Sequence, residues 1–122
     1  ALDAIANIES PIEKLGKYLE HANQAVGPKF KVYLQSLGNN NKSKEMIDFH
    51  ENYITSYTKE LLDAAVKNKE IKKIDTQAFA LLLGGIGREF AKETNIKKLS
   101  DSPEKSANSI TKIILTGIRL GN

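Results

Sequence analysis

Apolar residues recur at intervals of three and four along most of this chain, which is the period of one face of an α-helix. Ile12, Leu15, Leu19, Ala22 and Val26 share such a face and predict a first helix over residues 11–25. Ser10 is suited to cap it, because its hydroxyl accepts from a free backbone N–H, and Pro11 loses no hydrogen bond at the first helical position. Glu13, three residues after Ser10, completes a capping box. Gly27 and Pro28 end this segment. Phe30, Tyr33, Leu34 and Leu37 predict a short second helix over 28–37, stopped by Gly38 and followed by a polar loop of asparagines.

The third segment, 43–68, is the longest. Met46, His50, Tyr53, Tyr57 and Leu61 line one face, Ile47, Ile54 and Ala65 widen it, and Asp48, Asn52, Thr55, Lys59 and Asp63 lie opposite. Asp75 is the expected cap of a fourth helix over 76–93. Its main apolar face is Phe79, Leu82, Leu83, Ile86 and Phe90, while the opposite side carries Ala80, Leu81, Gly84, Gly87 and Ala91. A helix apolar nearly all round is expected to be covered nearly all round. Ser102, with Pro103 and Glu104 behind it, starts a fifth helix that runs to Arg119 and carries Ala107, Ile110, Ile113, Ile114 and Gly117 on one face. No strand and no internal repeat is predicted. The fold class is therefore all-α, a multi-helix bundle.

Composition narrows the chemistry. The 122 residues amount to one domain, 40% hydrophobic and 27% charged, the balance of a globular protein. Cysteine is absent, which removes disulfides, thiolate metal sites and cysteine nucleophiles. His21 and His50 are too few for a multi-histidine metal site, and His50-Glu51-Asn52-Tyr53 lacks the second histidine of a zinc-protease helix. Gly84-Gly85-Ile86-Gly87 falls within a helical pattern, not in a phosphate loop after a strand. Neither metal nor cofactor is expected, and the chain is read as a non-enzyme. The net charge of +3 is modest, and the lysines at 67, 69, 72, 73, 97 and 98 sit in loops without the density of a nucleic-acid surface. The most apolar stretch, 78–87, is half the roughly 20 residues of a membrane span. The start of the chain lacks the pattern of a signal peptide, and a cytoplasmic location is the expectation.

Four stretches together resemble the C-terminal regulatory domain of the TetR-type transcriptional repressors: SPIEKLGKYLE, PKFKVYLQSL, LLDAAVKNKEIKKIDTQAFALLLGGIGREF and SITKIILTGIRLGN. The likeness covers residues 10–121 and rests on residue class and helix length. The turn before Glu70, which often holds a glycine in that family, here has Asn68 as the residue able to turn left-handed. The resemblance implies a regulatory and dimerisation domain over 10–122. Residues 1–9 would be the end of a linker helix from a DNA-binding domain that this chain lacks. It implies a homodimer in which the last two helices of each copy form a four-helix bundle, and a small apolar or aromatic effector. DNA would be contacted only through the missing N-terminal domain.

Two sets of residues carry these expectations. Tyr33, Met46, His50, Tyr53, Tyr57, Phe79 and Leu83 are the candidate effector cavity, mostly apolar with a few polar handles. A core histidine bonded to a carbonyl or a tyrosine is the other reading of His50. Ala80, Leu81, Gly84, Gly87, Arg88 and Ala91, with Ile110, Ile114, Leu115, Gly117 and Ile118, are the candidate dimer interface. A glycine inside a helix costs about 1 kcal/mol relative to alanine, so Gly84 and Gly87 imply the close approach of another helix. That helix could belong to the same chain, but a second copy is the preferred source, because the opposite face already supplies the intrachain core. The alternative to the repressor reading is a helical dimerisation or protein-interaction module with a filled core and no ligand.

Overall fold

A computed structural model describes residues 5–24 and 41–121, with side chains from residue 44 onward in the second stretch. Five helices lie in these residues: α1 (Pro11–Gln24), α2 (Asn41–Lys67), α3 (Thr76–Ala91), α4 (Glu93–Ile96) and α5 (Pro103–Ile118). The all-α expectation is met, and the described residues hold no strand, only an isolated bridge between Ile71 and Arg119. The helix predicted over 28–37 falls outside the described residues. The helix expected to end at Glu93 instead stops at Ala91. Lys92 takes an extended conformation, and Glu93 opens the one-turn helix α4.

The long helices close a ring. α2 packs on α3, α3 on α5, α5 on α1 and α1 back on α2. Their inward faces make one core, from Ile12, Leu15 and Leu19 of α1 through Leu61, Leu62 and Ala65 of α2 to Leu83 of α3 and Ala107 of α5. The faces predicted for α1 and α3 are largely those buried. The face predicted for α2 is not. Met46, His50 and Tyr53 are exposed, whereas Ile54, Thr58, Leu61, Leu62 and Ala65 are buried. The true stripe is turned toward Thr55 and Asp48, on the side read as solvated, because α3 lies there.

Local chemistry fixes the helix ends. Asp75 accepts from the Ala78 N–H at 3.1 Å, and Ser102 from the Lys105 N–H at 3.3 Å, as their positions predict. Ser10 likewise accepts from the Glu13 N–H at 3.3 Å. The carboxylate that binds this helix end is not Glu13, however, but Glu70, remote in sequence. It accepts from the Ser10 hydroxyl at 2.6 Å and from the Ile12 N–H at 3.1 Å. A carboxylate at this end also meets the positive pole of the helix dipole. The turn after α2 is left-handed at Lys69 (φ 60°), not at Asn68. It then runs beside the chain's C-terminal stretch: the Lys72 N–H donates to the Ile118 carbonyl at 2.8 Å, and the Leu120 N–H to the Glu70 carbonyl at 3.0 Å. One corner of the ring thus joins the start of α1, the α2–α3 turn and the end of α5.

Candidate functional site

The residues proposed to form an effector cavity do not share one environment. Leu83 is part of the packed core, Phe79 and Tyr57 are half-buried beside it, and Met46, His50 and Tyr53 face outward on α2. Tyr33 lies outside the described residues. Three tyrosines do form a cluster. Tyr57 meets Tyr18 edge-on at 4.7 Å between ring centroids and stacks with Tyr53 at 6.5 Å. These are favourable aromatic geometries. Tyr18 was not among the predicted residues. It lies off the spaced apolar face of α1, yet it is buried. Burial, and after it the neighbouring Tyr53 and Tyr57, push its phenol up to about 12.

The candidate interface residues divide in a similar way. Ala80, Gly84, Gly87, Leu115 and Ile118 are buried within the chain. A Cβ at Gly84 would overlap the Thr55 hydroxyl and lie 3.2 Å from the Thr55 Cα, so this glycine serves the crossing of α3 over α2. The close approach inferred from the glycine exists, and the helix that makes it is in the same chain. Arg88 also turns toward α2, bonding Asp48 at 2.7 Å and Glu51 at 2.8 Å. Those two carboxylates hold its guanidinium above its ordinary pKa. Ala91 and Ile114 are half-buried. Leu81, Ile110 and Gly117 remain exposed.

The exposed apolar surface has its own pattern. Leu81 and Leu82 of α3 are 60% and 52% exposed, and Ile113 of α5 is 68% exposed. Ile110 and Gly117 continue the α5 row at spacings of three and four. A side chain added at Gly117 would meet nothing within 4 Å. Because α3 packs on α5, these exposed side chains belong to one helix pair. Leu82 belongs to the predicted main apolar face of α3, yet it is exposed, and the predicted face of α5 is split, with Ala107 buried and Ile113 exposed.

Sequence reasoning missed a groove between α1 and α5, of about 620 Å³. That size lies within the range of small-molecule sites. Its apolar surface is Ile8, Ile12 and Leu115, beside the bare backbone of Gly16. Lys17, Glu13 and Glu20 edge it on α1, with Lys112 and Arg119 on the other side. Asn108 and Thr111 also line it, and the buried Asn23 donates through its amide to Asn108 Oδ1 at 3.0 Å and to Thr111 Oγ1 at 3.3 Å. None of the residues predicted for effector binding lines this groove. Its two walls are far apart in the chain, and no local spacing signals their meeting.

Among the described residues no three His, Asp or Glu side chains converge on a metal-binding position. No helix among them is long and apolar enough to cross a membrane. Comparisons with known protein families, with curated proteins and with solved structures find no match.

Proposed function

We propose that this chain is the homodimerising, effector-sensing domain of a TetR-like transcriptional repressor. The observation that carries the reading is the exposure of four large apolar side chains, Leu81, Leu82, Ile110 and Ile113, on two helices that pack together, α3 and α5. Burying a leucine or isoleucine side chain fully is worth about 1.5–3 kcal/mol, so leaving these side chains in water forfeits a large stabilisation. A second copy is the natural cover. In a two-fold contact each surface meets itself, which suits an apolar face and penalises one with a single sign of charge. The clear space at Gly117 admits a partner backbone. Paired in this way, α3 and α5 of two copies make a four-helix bundle.

Regulation follows from linkage. An effector that binds one arrangement of the ring better than another shifts the pair toward that arrangement. The shift is passed through residues 1–9 to DNA-binding domains on the N-terminal side. The domain itself makes no contact with DNA and performs no catalysis.

Sedimentation equilibrium tests the dimer. Native protein is expected to sediment as a dimer with a thermal midpoint that rises with concentration. Leu81→Glu and Ile113→Glu are expected to give folded monomers with an unchanged helical circular dichroism spectrum. A monomeric native chain, or glutamate variants that stay dimeric, would remove the basis of the proposal. The alternative, a dimerisation module with a filled core and no ligand, draws support from one observation: Leu83, expected in the cavity, is packed in the core. The two readings part on ligand binding.

A further inference from the structure

We propose that the groove between α1 and α5 binds a small aliphatic monocarboxylate, with its carboxylate at Lys112 and Asn108 and its chain along Ile8, Ile12 and Leu115. This deepens the effector part of the repressor reading but stands on different residues from the dimer face. The first support is charge. Lys17 lies 3.5 Å from Glu20, and Arg119 lies 4.0 Å from Glu13, so these cations at the groove have carboxylate partners. Lys112 has none among the described residues. One uncompensated positive charge at an apolar groove matches one negative charge on an apolar body. A phosphate dianion would bring a second negative charge that this single cation does not match.

The second support is the hydrogen-bond inventory. Asn23 is buried and donates to Asn108 Oδ1, which commits the Asn108 oxygen as an acceptor. The Asn108 amide nitrogen is thus the group available to the groove, and it can only donate. Lys112 follows four residues later on the same helix, so the two donors stand one turn apart on one face. A carboxylate is an acceptor with two oxygens, and this pair offers a donor to each.

The third support is Gly16. A Cβ there would meet only Leu115 Cδ1, at 3.9 Å, an ordinary contact. The residue lies inside α1, where alanine is the better helix former. The packing of the chain against itself therefore gives no reason for a glycine. A side chain at 16 would project into the groove, and its absence keeps the space open beside the apolar wall.

Calorimetric titration of the full chain with octanoate tests the assignment. Saturable binding of one octanoate per chain is expected. Lys112→Met should weaken it at least tenfold, as should replacing octanoate by 1-octanol. Gly16→Leu should abolish it, and Gly16→Ala, which adds a single carbon to a helical position, should weaken it while preserving the fold. No saturable binding to the native chain would overturn the proposal. So would equal affinity for octanol, or binding unaltered in the folded Lys112 and Gly16 variants. Sedimentation on the same samples separates this inference from the dimer: octanoate binding by a monomer would refute the dimer alone, and a dimer that ignores octanoate would refute the groove site alone.

Discussion

Replacing Gly84 by alanine tests whether this glycine acts within one chain. The new Cβ would overlap the Thr55 hydroxyl, which could turn away. It would also lie 3.2 Å from the Thr55 Cα, which belongs to the α2 backbone and cannot turn. Overpacking of this kind costs about 1–3 kcal/mol. Alanine returns about 1 kcal/mol of helix propensity, so a net destabilisation of up to about 2 kcal/mol is expected, toward the upper end because the clash includes backbone. Urea unfolding of the Leu81→Glu background, where the proposed dimer face is disabled, reads the effect in a single chain. Thr55→Ala should recover part of the loss, with a coupling of about 0.5 kcal/mol or more in a double-mutant cycle, because the hydroxyl goes but the backbone stays. Gly16→Ala is the internal control: its Cβ has ordinary room, and the same substitution there should stabilise by about 0.5–1 kcal/mol. If Gly84→Ala matches the native chain or exceeds it, or if Thr55→Ala recovers nothing, the crossing of α2 and α3 is not what holds this position to glycine.

Further outcomes follow from the polar contacts. Tyr18 has its phenol raised from about 10 to about 12, so its contribution is full below pH 10 and is lost as pH climbs through 12. At about 1.4 kcal/mol per unit the loss has a ceiling near 3 kcal/mol, and Tyr18→Phe should flatten the alkaline limb of thermal midpoint against pH. Parallel limbs for the two proteins would contradict this. Glu70→Gln weakens the charge-assisted bonds to Ser10 and Ile12 and should cost about 1 kcal/mol, with faster amide exchange in the first turn of α1. Unchanged exchange there would show that Glu70 does not hold that helix end. Arg88→Met breaks the part-exposed pairs with Asp48 and Glu51, should cost less than about 1 kcal/mol, and should reduce the salt dependence of stability.

The helices were legible wherever period and caps agreed. Asp75 and Ser102 cap α3 and α5 as their chemistry requires, and Ile12, Leu15 and Leu19 are buried as their spacing implies. What failed was the rotation of a long helix with two partly apolar sides. On α2, the bulk of two tyrosines, a histidine and a methionine drew the apolar face away from Thr55 and Thr58, yet the threonines face α3 and the core. A small residue opposite a glycine permits a close crossing, and that pairing joins two helices whose order of contact the one-dimensional pattern does not contain. For the same reason Gly84 was legible as a close approach but not as an approach within the chain. The groove was illegible altogether, since Asn23 and Asn108 look like ordinary polar residues until α1 and α5 meet.

The groove and the cornered helix ends share residues and neighbours. Ile8 and Ile12, on the wall where the carboxylate's chain would lie, flank Ser10, which Glu70 holds. Arg119 edges the same groove and bridges to Ile71, one residue beyond Glu70. An occupant that touches Ile8 and Leu115 together is thus sensitive to the position of the chain entering α1 relative to the end of α5. By reciprocity, if an occupant shifts that entering chain, whatever shifts the chain alters the occupant's affinity by the same free energy. Weakening the Glu70 latch frees the entering chain from the turn without touching Lys112 or Gly16. Octanoate affinity in Glu70→Gln therefore measures how tightly the groove and the N-terminal segment are coupled. Unchanged affinity, despite faster exchange in the first turn of α1, would mean that the groove binds without sensing the segment that enters the domain.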